Sequence, residues 1–178
     1  MMGENMSFQS LRELMSRTVG GSGLFPDSDG RSVAKKFAYR EPATDKSFQD
    51  LLSRGISMPE EIHQLLRISD GFEIYNFQGV DGYKVFGTSE LLGVNKLVGD
   101  SYGDEWDDRF LVFAECIGDG TYLAVKRVPN GNEVVDCFLE VDPSECKAVS
   151  PSVTEFFAQL IKSNGQKFWL KESNGTAS

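Results

Sequence analysis

This sequence contains few of the residues on which metal sites, disulfide frameworks and catalytic triads depend. Its 178 residues include one histidine, His63, and three cysteines, Cys116, Cys137 and Cys146. The cysteines lack the close, paired spacing of a zinc site or of a disulfide framework. We therefore interpret them as reduced thiols, and we expect no metal and no other cofactor.

Long apolar runs are also absent from the sequence. No run approaches the roughly 20 residues that cross a bilayer, and the N-terminal stretch MMGENMSF lacks the basic and apolar regions of a secretory signal. With 40% hydrophobic residues, a chain of this length can form one domain around a single core. We expect a cytoplasmic protein that does not bind membranes.

Positive charge is scarce relative to negative charge. The sequence has 18 Lys and Arg residues against 27 Asp and Glu residues, which gives a net charge of −9. A surface of this sign repels DNA and RNA and attracts basic proteins. We therefore expect no nucleic-acid partner and favour a basic protein partner. The alternative is that the acidic surface only keeps the protein soluble.

The residues that could form a catalytic set do not combine into one. His63 follows Glu60 and Glu61 on a predicted helix, with no nucleophile in a strained turn for it to activate. Cys116 and Cys137 fall within predicted strands, so we expect both in the core. The many acidic residues leave a small carboxylate-dependent hydrolase as an alternative, although abundance alone does not place two carboxylates at a catalytic separation. We expect the protein not to be an enzyme.

Two segments share the composition of ligand-binding loops without their spacing. Residues 100–108 include five acidic residues, but they lack the alternating ligands and the terminal Glu of an EF-hand. Residues 118–120, Gly-Asp-Gly, precede a strand and lack the Lys and the helix N-terminus of a phosphate loop. We interpret the first segment as a solvated loop and the second as a turn.

The order of the predicted elements indicates an α+β fold. Residues 7–19 form an amphipathic helix, and the glycine-rich residues 20–30 form a mobile linker. Residues 31–39 are ambiguous between helix and strand. Further helices are predicted over 45–54, after Pro59, over 89–98 and from Ser152, and strands over 72–77, 83–86, 110–116, 121–128 and 133–141. This order predicts a central antiparallel sheet flanked by helices.

We divide the chain into three parts on this basis. Residues 1–30 comprise the N-terminal helix and the flexible linker, residues 31–170 the folded domain, and residues 171–178 a disordered tail. The apolar residues just before the tail, Phe168, Trp169 and Leu170, are expected to dock on the domain.

One segment, residues 56–86, combines a helix, a sharp stop and two strands in the sequence ISMPEEIHQLLRISDGFEIYNFQGVDGYKVF. Pro59 suits the first turn of a helix, and Ser57 suits its N-terminal cap. Asp70-Gly71 is expected to end this helix, because glycine adopts the left-handed conformation without a Cβ penalty.

This arrangement resembles the SUKH superfamily of Smi/Knr-like domains. In that family a Leu-Pro or similar pair opens a helix that ends in an Asn-Gly or Asp-Gly step, which Met58-Pro59 and Asp70-Gly71 match. Residues 110–128, FLVFAECIGDGTYLAVKRV, are similar to the family's central hairpin, and residues 152–161 to its C-terminal helix. The resemblance covers residues 47–163 and implies the same fold, a sheet flanked by helices.

The resemblance also implies a binding module without enzymatic activity. SUKH domains occur in bacterial immunity proteins, which neutralise a cognate toxin, often a nuclease, by masking it. They also occur in fungal regulators of cell-wall assembly, which hold other proteins together. Our first hypothesis is an immunity protein that binds a basic toxin domain, and the alternative within the family is a regulatory scaffold of cell-wall assembly or signalling.

Aromatic side chains that lie between acidic ones form the candidate binding site. The candidate partner-binding residues are Asp104, Glu105, Trp106, Asp107, Asp108, Tyr75, Tyr83 and Tyr122. An aromatic anchor ringed by charge suits a protein interface, because the ring provides desolvated area and the charges steer association. The alternative is that the tyrosines fill the sheet and that Trp106 packs the loop onto it.

Overall fold

A computed structural model describes residues 8–171 of the chain. Within that range, the chain forms six α-helices and eight β-strands. The helices are α1 (Gln9–Arg17), α2 (Asp45–Ser53), α3 (Glu60–Ile68), α4 (Thr88–Tyr102), α5 (Val153–Lys162) and α6 (Phe168–Lys171). The strands are β1 (Ser22–Pro26), β2 (Ser32–Tyr39), β3 (Phe72–Phe77), β4 (Asp81–Val85), β5 (Phe110–Cys116), β6 (Thr121–Val128), β7 (Gly131–Phe138) and β8 (Lys147–Ser150). Two short 3₁₀-helices are η1 (Gly103–Glu105) and η2 (Pro143–Glu145).

The strands form one sheet in which each strand pairs with the next along the chain, from β1 to β8. Every pairing is antiparallel. The α+β fold with a central antiparallel sheet is therefore confirmed. Among residues 8–171, no helix has the length and apolar character that a bilayer crossing requires.

Helices cover both faces of the sheet. Neighbouring residues of a strand point to opposite faces, so Asp136 and Cys137 of β7 identify the two sides. Trp169 of α6 donates a hydrogen bond from Nε1 to Asp136 Oδ2 at 2.8 Å, whereas Tyr102 of α4 lies beside Cys137. Thus α6 and α4 lie on opposite faces, and α5 shares the face of α6 through the contact of Phe156 with Trp169.

The helices α1, α3 and α5 pack together on the first of these faces. Phe157 of α5 contacts both Phe8, before α1, and Phe72 of β3, with ring centroids 6.1 and 5.9 Å apart. Glu61 of α3 caps the start of α5, because its carboxylate accepts hydrogen bonds from the backbone N–H groups of Val153 and Thr154, both at 3.1 Å. One buried cluster therefore includes α1, the sheet and the last long helix.

The glycine-rich residues 20–30, predicted to be a mobile linker, contain strand β1 instead. Phe25 anchors this strand against Phe37 and Tyr75, with ring centroids 5.3 and 5.1 Å away. Asp27 Oδ1 accepts hydrogen bonds from the backbone N–H groups of Asp29 and Arg31 and so closes a tight turn into β2. The linker prediction is wrong because three-dimensional aromatic packing outweighs a locally flexible composition. The division of the chain at residues 30 and 170 stays a prediction.

Two predicted helix boundaries also differ from the structure. Helix α3 ends at Ile68, and its C-cap residue, Ser69, is extended. Gly71, with φ of 87°, therefore shapes the entry into β3 rather than the helix cap. The helix predicted over 89–98 runs from residue 88 to residue 102. Gly93 does not interrupt it, because it is exposed and has no neighbour to accommodate.

The strand predicted over 133–141 is β7, which begins and ends earlier, and β8 was not predicted. Ser57 does not cap α3, whose N-terminal residue Pro59 has no side-chain cap. The predicted disordered tail, residues 171–178, lies outside the described residues except for Lys171, the last residue of α6.

Residues 69–71, which carry part of the family resemblance, join α3, β3 and α4. Asp70 Oδ1 accepts a hydrogen bond from the backbone N–H of Thr88 at 2.6 Å, and Oδ2 accepts one from its hydroxyl at 2.8 Å. The first turn of α4 is therefore capped by a residue outside that helix. The backbones also touch, since a Cβ on Gly87 would lie 2.5 Å from the Asp70 carbonyl oxygen.

We predict that replacing either Phe156 or Phe157 with Ala destabilises the protein by about 3 to 5 kcal/mol, the range for deleting a buried Phe. Both side chains are buried in the cluster around α5. Urea unfolding measures the effect. Losses below about 1 kcal/mol for both variants would mean that α5 is not part of the core.

We predict that Asp70→Ala lowers the free energy of unfolding by about 1 to 2 kcal/mol, because it removes the cap of α4. Asp50→Ala is the matched control: Asp50 is an exposed carboxylate on α2 without an ion pair among the described residues, and its loss should change stability by no more than about 0.5 kcal/mol. Equal effects of the two changes in urea unfolding would show that the cap does not stabilise the junction.

Candidate functional site

A cleft of about 410 Å³ opens between the α2–α3 connection and the start of β5. Its apolar lining comes from Ile56, Pro59, Trp106, Phe110, Leu111 and Val125. Its rim carries charged residues of both signs, described below. The cleft contains three of the predicted binding residues, Trp106, Asp107 and Asp108.

Trp106 is held in a stack of three aromatic rings. Its ring centroid lies 5.3 Å from that of Tyr102, with an interplanar angle of 4°, and 4.8 Å from that of Phe110. Gly99 of α4 provides room for the indole, because a Cβ there would lie 3.1 Å from Trp106 Cδ1. The side chain is half-buried, so it packs the loop onto the core and also presents one edge to the cleft.

Asp107 and Arg109 form a two-pronged ion pair at the cleft rim. Arg109 donates from Nε to Asp107 Oδ2 at 3.0 Å and from Nη2 to the same oxygen at 2.8 Å. The Asp107 carboxylate also accepts the backbone N–H of Arg109 at 2.8 Å. The side-chain hydrogen bonds of Arg109 are the main reason why the pKa of Asp107 is lowered. Asp107 is therefore a poor proton donor and is already neutralised by a cation.

The walls of the cleft are fixed by two long-range contacts. Arg127 at the end of β6 donates from Nη2 to Ser57 Oγ at 2.8 Å and so ties the α2–α3 connection to the sheet. Asn95 of α4 pairs with the backbone of Val112 in β5, donating to its carbonyl at 2.9 Å and accepting its N–H at 2.8 Å. Both contacts hold the two sides of the cleft at a set distance.

The acidic residues of the loop differ in whether a neighbouring cation pairs with them. Asp100 pairs with Lys96 at 2.6 Å, and Asp107 pairs with Arg109. In residues 8–171, Asp104, Glu105 and Asp108 form no ion pair and are exposed. Within the described part of the chain, the unpaired negative charge of the loop therefore lies on these three residues.

The predicted tyrosines do not join this site. Tyr75 and Tyr83 are 1% and 2% exposed, and burial raises the pKa of both phenols. A partner cannot contact these side chains in the folded protein, so the structure corrects their assignment to a surface. Tyr122 is half-buried on β6, opposite Glu115 of β5 and outside the cleft.

The residues that line the cleft do not provide an acid–base pair. Its lining includes no histidine and no cysteine, and His63 stacks on Phe48 elsewhere, with ring centroids 4.0 Å apart. Burial raises the pKa of Glu115, although Lys84 opposes the shift, but this residue does not line the cleft. Across residues 8–171, no group of three or more His, Cys, Asp or Glu side chains is arranged to hold a metal ion.

The sequence reasoning missed Arg109, Arg127 and Asn95. The pairing of Asp107 with Arg109 spans only two positions, so the charge pattern could have revealed it. The contact of Arg127 with Ser57 joins residues 70 positions apart, and the contact of Asn95 with β5 depends on how α4 lies on the sheet. No local pattern indicates either contact.

We predict that Trp106→Ala lowers the free energy of unfolding by about 2 to 3 kcal/mol, less than for a fully buried aromatic residue. Trp106→Phe is the matched control, because a smaller ring keeps part of the stack and should cost about 1 kcal/mol. Urea unfolding of the two variants measures the effect. Unchanged stability of Trp106→Ala would mean that the indole is a surface group without a packing role.

Comparison with known proteins identifies the family of this fold. A model of the SMI1 / KNR4 family (SUKH-1) matches residues 42–159, well over half of the chain. The match includes all of the strands from β3 to β8 and every residue that lines the cleft. No curated protein matches the sequence. The match agrees with the resemblance found in the sequence, and the chain belongs to the SMI1 / KNR4 family (SUKH-1).

Proposed function

We propose that this protein is a non-enzymatic binding module of the immunity type, which neutralises a basic toxin domain by covering it. The observation that carries the proposal is a set of exposed carboxylates that form no ion pair with any described residue. These carboxylates, Asp104, Glu105 and Asp108, lie beside the cleft that contains Trp106. Members of the family are generally non-catalytic, which agrees with a cleft in which one of the two carboxylates, Asp107, is held by Arg109.

A nuclease toxin suits this surface for a physical reason. A protein that binds nucleic acid presents a basic face to the phosphates, and an acidic module that covers this face competes directly with the substrate. Complementary charge also accelerates encounter, because steering raises association rates by about 10 to 1,000-fold at low salt. The net charge of −9 extends this attraction beyond the loop itself.

The cleft would supply the apolar part of the interface. Its volume of about 410 Å³ lies at the lower end of the range for ligand pockets, about 300 to 1,000 Å³, and would admit one or two side chains of a partner. Its walls are held by Arg127 and Asn95, so little ordering is needed on binding, and a preorganised surface loses less entropy.

We further propose that the protein acts in the cytoplasm. Its three cysteines are buried and free, which is typical of proteins that work in a reducing compartment. A toxin that attacks cytoplasmic nucleic acid would meet the module there.

The experiment uses the product of the neighbouring gene as the test partner, purified in an inactive form. Binding kinetics are measured across a salt series for the natural chain and for the triple charge reversal of Asp104, Glu105 and Asp108 to Lys. We expect association to slow by about tenfold or more at low salt, with a smaller change in dissociation. The difference should shrink as salt screens charges beyond about 8 to 10 Å.

The matched control reverses three exposed acidic residues outside the loop, Glu13, Glu41 and Asp50, to Lys. It changes the net charge equally but leaves the cleft intact, so a smaller effect would locate the interface at the loop. Equal effects would assign the attraction to net charge alone. An acidic partner would contradict the proposal, and so would a partner whose binding rates change with neither triple reversal. If the protein failed to protect cells from the toxin, the result would favour the regulatory scaffold instead.

A further inference from the structure

Two of the three cysteines lie close to the pairing of β7 with β8: Cys137 is in β7, and Cys146 directly precedes β8. The register of β7 and β8 pairs Asp136 with Lys147, so one position further along this register brings Cys137 opposite Cys146. Directly opposed residues of an antiparallel pair have Cα atoms about 4.5 to 5.5 Å apart. That spacing lies within the range of about 4.4 to 6.8 Å that a disulfide needs.

The two thiols also contact each other. A hydrogen bond from the Cys137 thiol is the main reason why the pKa of Cys146 is lowered. Burial opposes this effect, and the Tyr102 hydroxyl adds to it. Asp136 raises the pKa of Cys146, and Lys126 lowers it. The same hydrogen bond is the main reason why the pKa of Cys137 is raised, and the thiolate is the reactive form of a cysteine.

Cys137 and Cys146 differ in their exposure to solvent. Cys146, between η2 and β8, is 9% exposed, whereas Cys137 is fully buried behind it. Cys146 is therefore the more exposed of the two, so we expect an oxidant to meet it first, with Cys137 next to it. The remaining cysteine, Cys116, is 4% exposed on β5, and burial raises its pKa to about 12.

We propose that Cys137 and Cys146 form a redox-active pair, in which a peroxide oxidises Cys146 and Cys137 then closes a disulfide between β7 and β8. This site is independent of the proposed binding function. The disulfide would tie the edge strand β8, which has four residues and one neighbouring strand, covalently to that neighbour, β7.

The reaction balances with hydrogen peroxide as the oxidant. The Cys146 thiolate attacks one peroxide oxygen, the O–O bond breaks, and the departing hydroxide takes up a proton to become water. The product is the sulfenic acid of Cys146. The sulfur of Cys137 then attacks the sulfur of Cys146, the S–S bond forms, and the hydroxyl leaves as a second water with the proton of Cys137. Two thiols are oxidised by two electrons, and one peroxide is reduced to two waters.

The experiment treats the full, folded chain with hydrogen peroxide in the absence of reductant, blocks the remaining thiols with iodoacetamide and maps the fragments by mass spectrometry. Trypsin leaves both cysteines in one peptide, because no Lys or Arg lies between residues 128 and 146. Digestion after Glu140 separates them. We expect the two fragments to remain joined until reductant is added, and the count of free thiols to fall from three to one.

Three variants identify the roles of the cysteines. C116S should form the same disulfide, C137S should accumulate a sulfenic acid on Cys146 that dimedone traps, and C146S should keep both of its thiols under the same treatment. If C137S fails to fold, the disulfide mapping of the natural chain still tests the proposal. Retention of three free thiols, separation of the fragments without reductant, or oxidation mainly at Cys116 would overturn it.

Discussion

The contact between Asp70 and Thr88 is the interaction on which the arrangement of this fold depends. It joins the connection between α3 and β3 to the start of α4, 18 positions further along the chain. Gly71 and Gly87 allow the backbones to approach, since a Cβ on Gly71 would lie 2.7 Å from the nitrogen of Gly87. Neither position tolerates a side chain without moving the junction, which explains why a short Asp-Gly motif can mark the fold.

This junction fixes the position of α4, the helix that forms part of the cleft wall. Glu90 completes the cap, because its Oε2 accepts the backbone N–H of Gly87 at 3.0 Å, and it also pairs with Lys84 at 2.9 Å and with Arg40 at 3.1 Å. Burial acts to raise the pKa of Glu90, but the hydrogen bonds of Lys84 and Gly87 prevail and lower it. The carboxylate therefore stays charged, and it holds the start of α4 to β4 and to the residue that follows β2.

The C-terminal end of α4 fixes the position of the acidic loop. Tyr102 stacks on Trp106 and donates a hydrogen bond to the carbonyl of Phe138 at 3.0 Å, so the acidic loop and the end of β7 are fixed to the same helix. The proposed redox pair lies beside this point, at the start of β8. The aromatic stack orders the loop that carries the exposed carboxylates, and under the proposed binding function such preorganisation limits the entropy lost on binding.

The sequence by itself determined the fold class, the family, the antiparallel hairpins and the buried stripe of α5, because these depend on local periodicity, turn residues and the hydrophobic effect. Tertiary structure alone decided that residues 22–26 form a strand, that Tyr75 and Tyr83 are buried, and that Asp107 is neutralised while Asp104 and Asp108 are not. It also brought Ser57 to Arg127 and Cys137 to Cys146. These outcomes depend on which distant elements meet, and a residue's exposure and ion pairing are set by those neighbours rather than by its position in the chain.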